Sequence, residues 1–160
     1  MSNPSSVSNI APKVPWLARP RVAVALLLSI NLMNYVDRQV LAAVEVKIGE
    51  EFAQGGQAIS DAKMGLLSTA FLLSYMLASP LFGWFADRTS RWKIVAIGVF
   101  VWSLASGASG LAEFYLALLL TRVFVGIGEA AYGPTAPTII SDLYPVERRG
   151  SVLAWFYMAI

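Results

Sequence analysis

Long apolar runs leave this chain few folds to choose from. Val22 to Val44 and Met64 to Ala86 contain 23 residues each, Ile94 to Ala112 contains 19, and Phe114 to Ser141 contains 28. At 1.5 Å per helical residue, even the shortest of these covers about 28 Å. That crosses a hydrocarbon core of about 30 Å with a small extension at its ends. A fifth run opens at Val152 and is still apolar at Ile160, so the chain reads as cut off in mid-helix. Apolar residues make up 57% of the chain and charged ones 14%, whereas soluble domains carry roughly 25% charged residues. The expected fold class is an all-α membrane protein.

The first run is too long for the core of a secretory signal, which spans about 7–15 residues, and is read as a spanning helix. Before it, residues 1–15 are rich in Ser, Pro and Asn and read as a disordered cytoplasmic tail. Residues 16–160 form the predicted transmembrane bundle, with spans at about 22–44, 64–86, 94–112 and 114–141 and an incomplete one at 152–160. Ser60-Asp61 supplies a helix start for the second span, and Pro80 is expected to loosen its last turns.

Lys and Arg positions set the expected orientation. With the N-terminus in the cytoplasm, Lys13, Arg19, Arg21, Arg88, Arg91, Lys93, Arg148 and Arg149 lie inside, and only Lys47 and Lys63 lie outside. The expected location is a plasma or inner membrane. The absence of Cys and His removes thiolate nucleophiles, disulfides, the usual zinc ligands and any Ser-His-Asp triad. Neither a metal nor a cofactor is expected, and no enzyme activity. No basic stripe on a water-facing surface marks a nucleic-acid partner.

Four charges break the pattern. Asp37, Arg38, Arg122 and Glu129 lie within the apolar runs. Each costs roughly 2.5–3.5 kcal/mol near a helix centre, about 10–14 kcal/mol together before any pairing. They must therefore face a protein interior or an aqueous cavity. Measured from the ends of the runs, Asp37 lies about 22 Å up the first span, Arg122 about 12 Å down the fourth and Glu129 about 22 Å down. Asp37 and Arg122 are thus expected at similar heights and could pair, with Glu129 lower. Burial penalises a charged carboxylate and a nearby arginine favours it, a tension that suits a proton carrier. The alternative is a permanent salt-bridge network holding the helices together, and the two roles are compatible. Small residues at Ser106-x-x-x-Gly110 and Gly126-x-x-x-Ala130 are expected at close helix contacts.

Two further patterns bear on function. Gly126-Ile-Gly128-Glu-Ala-Ala131 fits the dinucleotide fingerprint, but three long apolar helices precede it where a Rossmann unit needs alternating strands and helices. No Walker-type phosphate loop is present, so the expected energy source is an ion gradient.

The stretch from Gly83 through Asp87, Arg88 and Arg91 to Lys93 resembles the signature loop of the major facilitator superfamily, Gly-x-x-x-Asp-Arg-x-Gly-Arg-Arg/Lys. Ser90 stands where the family usually has Gly, and Trp92 where it has a base. Arg122 with Gly126 and Gly128 is similar to the family's Arg-x-x-x-Gly-x-Gly, and Pro145 to Gly150 to its Pro-x-x-x-Arg-Gly element. Within the superfamily, Asn34-Tyr35-Val36-Asp37-Arg38, Gly126 to Ala130, Ala136 to Ile140 and Phe156 to Ile160 resemble Spinster-type transporters. The resemblance implies the N-terminal bundle of a twelve-helix secondary transporter that works by alternating access. It further implies a lysophospholipid or sphingoid lipid as substrate, protons as a possible coupling ion and a C-terminal half as partner. Carried over by position, Asp37, Arg38, Arg122 and Glu129 would serve coupling and substrate binding. An organic-anion or sugar-acid symporter of the same superfamily is the alternative. A non-transporting membrane module that associates with partner helices is the alternative of another class.

Overall fold

The computed structural model describes residues 19–52 and 59–158; the expected tail over 1–15 and the final two residues of the fifth run lie outside them. Six helices follow in order: α1 Pro20–Glu51, α2 Asp61–Ala86, α3 Arg91–Ser109, α4 Tyr115–Tyr132, α5 Thr135–Leu143 and α6 Val146–Met158. Among the described residues, α2, α3 and the α4–α5 unit are each long and apolar enough to cross a membrane. α1, at 32 residues, is longer still, but Asn31, Asn34, Asp37 and Arg38 dilute its apolar character.

Local chemistry sets the ends. Pro20 opens α1 at a position where its missing N–H costs nothing. Ser60 caps α2, its hydroxyl accepting from the Lys63 N–H at 3.4 Å. α2 continues past Pro80 to Ala86. The fourth apolar run is divided at Gly133-Pro134 into α4 and α5, and the unit from Tyr115 to Leu143, break included, spans 29 residues. Pro134 cannot donate to the ladder. Gly133 packs against the ring end of Tyr75, whose hydroxyl oxygen would stand 2.3 Å from an added Cβ.

α4 is the hub, packed on α2 along one side and on α3 along the other. Two glycines make this approach possible. A Cβ on Gly126 would lie 2.5 Å from the Phe71 carbonyl oxygen of α2, and one on Gly128 would lie 2.6 Å from the Trp102 nitrogen of α3. Two residues turn a helix by about 200°, so the pair serves opposite neighbours. Ala130 is fully buried beside them. On α3 the matching small residue is Gly98, whose Cβ would meet Ala131 at 2.6 Å. Gly110 instead caps the end of α3, with Gly107 O the nearest atom to its would-be Cβ at 3.5 Å.

A second core lies at the other end of α4. Leu27 of α1, Val95 of α3, Tyr132 of α4, Ile139 and Ile140 of α5 and Phe156 of α6 pack together there. Polar contacts reinforce it. Tyr132 donates to Leu27 O at 2.7 Å, and the Asn31 amide donates to Phe156 O at 3.2 Å.

Candidate functional site: a charged cavity between α1, α2 and α4

The four intramembrane charges converge on one cavity of about 270 Å³. α1 contributes Asp37 and Arg38, and α4 contributes Arg122 and Glu129. Met64, Leu67, Phe71 and Leu72 of α2, with Val125 of α4, supply an apolar wall. The cavity is therefore amphipathic, charged at one side and oily at the other.

The pairing differs from the one expected. Arg38 forms the ion pair, through Nη2 to Oε2 of Glu129; Asp37 and Arg122 make no direct salt bridge. The reason lies in how α1 is turned: Asp37 and Arg38 are neighbours about 100° apart around the helix, so the two face different partners.

Asp37 instead accepts a hydrogen bond from the Ser106 hydroxyl of α3. Arg122 donates to Ser109 Oγ one turn further along the same helix face, and Ser109 lies 2.9 Å from Thr121 Oγ1. Ser106, expected only as a packing residue, thus holds a charge. Ser109, Thr121 and Phe71 were not singled out by sequence, although the i, i+3 spacing of the two serines places them on one face. Phe71 sits under the Arg38 guanidinium, 5.1 Å from carbon to ring centroid. Glu129 is only 2% exposed and Arg122 5%, while the Arg38 side chain is 49% exposed. The pair thus has one buried end and one accessible end.

Arg38 and Glu129 also line a second cavity, with Asn31, Asn34, Tyr75 and Tyr132. Asp37 and Arg122 line a third, wider one toward the Glu51 end of α1. The charges therefore stand at the junction of three spaces.

The signature-loop residues lie apart from this site, around the α2–α3 turn. Asp87 caps α2, with its N–H on Gly83 O at 3.2 Å. Arg88 folds back over Trp84, 3.9 Å from its ring, and donates to Trp84 O at 3.2 Å. Arg91 reaches across to pair with Asp142 of α5. Lys93 is exposed, and a Cβ on Gly83 would meet nothing within 4 Å.

Comparison with known proteins agrees with this architecture. Spinster homolog 1 of Xenopus tropicalis is 42% identical over 138 residues, covering 85% of this chain and 25% of that protein. The sphingosine-1-phosphate transporter SPNS2 of Danio rerio is 41% identical over 143 residues, covering 88% of this chain and 27% of that protein. A crystal structure of a bacterial homolog of the human lysosomal transporter Spinster, inward-facing and occupied, superposes with a TM-score of 0.80. It is 34% identical and covers 88% of this chain and 30% of that one. The chain thus spans between a quarter and a third of the length of these relatives. The family model of the Major Facilitator Superfamily matches residues 27–160. With long apolar helices, motif-bearing turns and a Spinster-like bundle now all accounted for, the chain belongs to the Major Facilitator Superfamily.

Proposed function

We propose that this chain supplies the N-terminal bundle of a proton-coupled secondary transporter whose substrate is a lysophospholipid or sphingoid lipid. The observation that carries the reading is the amphipathic cavity, in which two arginines and two carboxylates face an apolar wall from Met64 to Leu72. An anionic head group can be met by a guanidinium, bidentately where it presents two oxygens, while the chain lies along α2. Similarity to a protein named as a sphingosine-1-phosphate transporter supports the substrate class. In alternating access two bundles rock about a site near mid-membrane. The second bundle is a partner this reading requires.

Proton coupling is assigned to Asp37 or Glu129, the carboxylates in the cavity wall. The test is uptake of a labelled lysophospholipid into proteoliposomes holding the natural gene product, with and without an inward proton gradient. Glu129→Gln and Asp37→Asn are each expected to lower gradient-driven uptake at least tenfold. Wild-type rates in both variants would refute the coupling assignment. Sugar acids added in excess separate the two transporter readings: lysolipid uptake should be insensitive to them.

A further inference from the structure

The end of the bundle where α1 begins has a cavity of its own, of about 410 Å³, lined by Arg19, Pro20, Arg21, Val22 and Tyr144. It lies between the first turn of α1 and the corner where α5 gives way to α6. Arg38 stands about 28 Å further up α1, so this space is separate from the charged cavity. The sequence builds the corner. Pro145 holds Tyr144 in an extended conformation, and Tyr144 packs on the lower core while lining the cavity. Arg149 donates from Nε to the Tyr144 carbonyl oxygen at 2.8 Å, which keeps its guanidinium beside this corner.

Positive charge here is in excess. Arg19, Arg21 and Arg149 form no ion pair among the described residues. The first acidic residue of the chain is Asp37, so no side chain preceding Arg19 can neutralise it. At the corner, Asp142 is already paired with Arg91, and Glu147 is exposed at the start of α6. Nor does a carboxylate stand in the first turn of α1, where the helix dipole would favour one. Between the guanidinium groups the lining is apolar, made by Pro20, Val22 and the Tyr144 ring. A small soluble anion gains nothing from such a floor, whereas a phosphate carried on glycerol and acyl chains uses both parts. Basic residues beside the end of a spanning helix stand at the level of lipid head groups, and basic pockets between such helices suit anionic ones.

We propose that this cavity docks an anionic diacyl phospholipid of the adjoining leaflet. Its phosphate meets Arg19 and Arg21, with Arg149 at the flank, and its glycerol and upper acyl carbons lie on Val22 and Tyr144. On the orientation expected from the lysines and arginines, that leaflet is the cytoplasmic one, which carries the anionic lipid. The lipid is a resident ligand, and its site is independent of what the transporter carries.

The test places the natural gene product in phosphatidylcholine nanodiscs with a minor share of photoactivatable phosphatidylglycerol, its reactive group high on the acyl chain. Crosslinks mapped by peptide mass spectrometry are expected at Val22 and Tyr144. They should exceed those from photoactivatable phosphatidylcholine at the same share by about tenfold or more, the value of two or three arginines at a membrane surface. Arg19→Gln with Arg21→Gln should abolish the excess. Arg88→Gln with Lys93→Gln removes the same charge from the α2–α3 turn and should leave it intact. Equal labelling by the two lipids, or labelling at Val22 and Tyr144 no heavier than on the rest of the lipid-facing surface, would overturn the site. So would an equal loss in both double variants, which would assign the attraction to basic surface at large. Displacement of the lipid by millimolar glycerol 3-phosphate would overturn it in favour of a soluble phosphate ester. The wild-type comparison of the two lipids decides the matter even if a variant fails to fold.

Discussion

Glu129 is placed where a carboxylate is most expensive and is held by an arginine that is itself half in the open. Removing that arginine should therefore cost more than removing the pair. Arg38→Met is expected to destabilise the folded protein by about 2–4 kcal/mol, the lower part of the usual range for a broken buried pair because Arg38 is half exposed. The double variant Arg38→Met with Glu129→Gln should recover most of that loss yet fail to transport. Thermal unfolding in detergent reads the first result, and proteoliposome uptake reads the second. A double variant that transported would make the pair purely architectural. The four residues at this site were legible in the sequence because charge inside an apolar run is conspicuous. Their pairing was not. It depends on how each helix is turned, which is not written in local composition. Ser106 and Ser109 were harder still, because a serine in a membrane helix looks the same whether it fills space or holds a charge.

At the scale of helices, three of the apolar runs correspond to α2, α3 and the α4–α5 unit, and their existence follows from hydropathy alone. The break at Gly133-Pro134 is foreshadowed by two prolines in three residues of spacing, Pro134 and Pro137. Close packing is less evenly readable. Gly126 and Gly128 are the contacts that matter on α4, whereas α3 meets it through Gly98, a position no small-xxx-small pair had marked. The difference is testable by adding single methyl groups. Gly126→Ala and Gly128→Ala should each lower stability by about 1–3 kcal/mol or more, because the new Cβ meets backbone that cannot yield. Gly107→Ala, facing open space, should be neutral or slightly stabilising. The monodisperse fraction after a heating series ranks the three. Equal losses would mean that α4 is not the tight hub described.

For the molecule as a whole, orientation remains an expectation from its arginines and lysines, eight of which fall on one side. Because the chain contains no cysteine, single-cysteine labelling is clean. Thr89→Cys, in the α2–α3 turn, should react with an impermeant maleimide only in inverted vesicles, and Asp61→Cys, at the start of α2, only in right-side-out ones. The reverse pattern would invert the topology and place the signature loop outside. The Arg91–Asp142 pair belongs to this scale as well, since it ties the α2–α3 turn to the far end of the fourth span.

α1 itself is attached unevenly. Its backbone runs close to α5 and stands off from α2, α3 and α4. Leu27 and Asn31 anchor its first half in the lower core. Further up, among the described residues, its side-chain polar ties to other helices are Arg38 to Glu129 and Asp37 to Ser106, and near its end Gly49 O accepts from the Ile59 N–H at 3.1 Å. Mechanically this is a lever with a greased fulcrum and two electrostatic catches set partway along the arm. Swinging the upper arm would have to break these catches, and Asp37, Arg38 and Glu129 all line the cavity. An occupant that competes for Arg38 or Glu129 therefore works directly on the restraint of the arm, and binding and motion draw on the same ion pair.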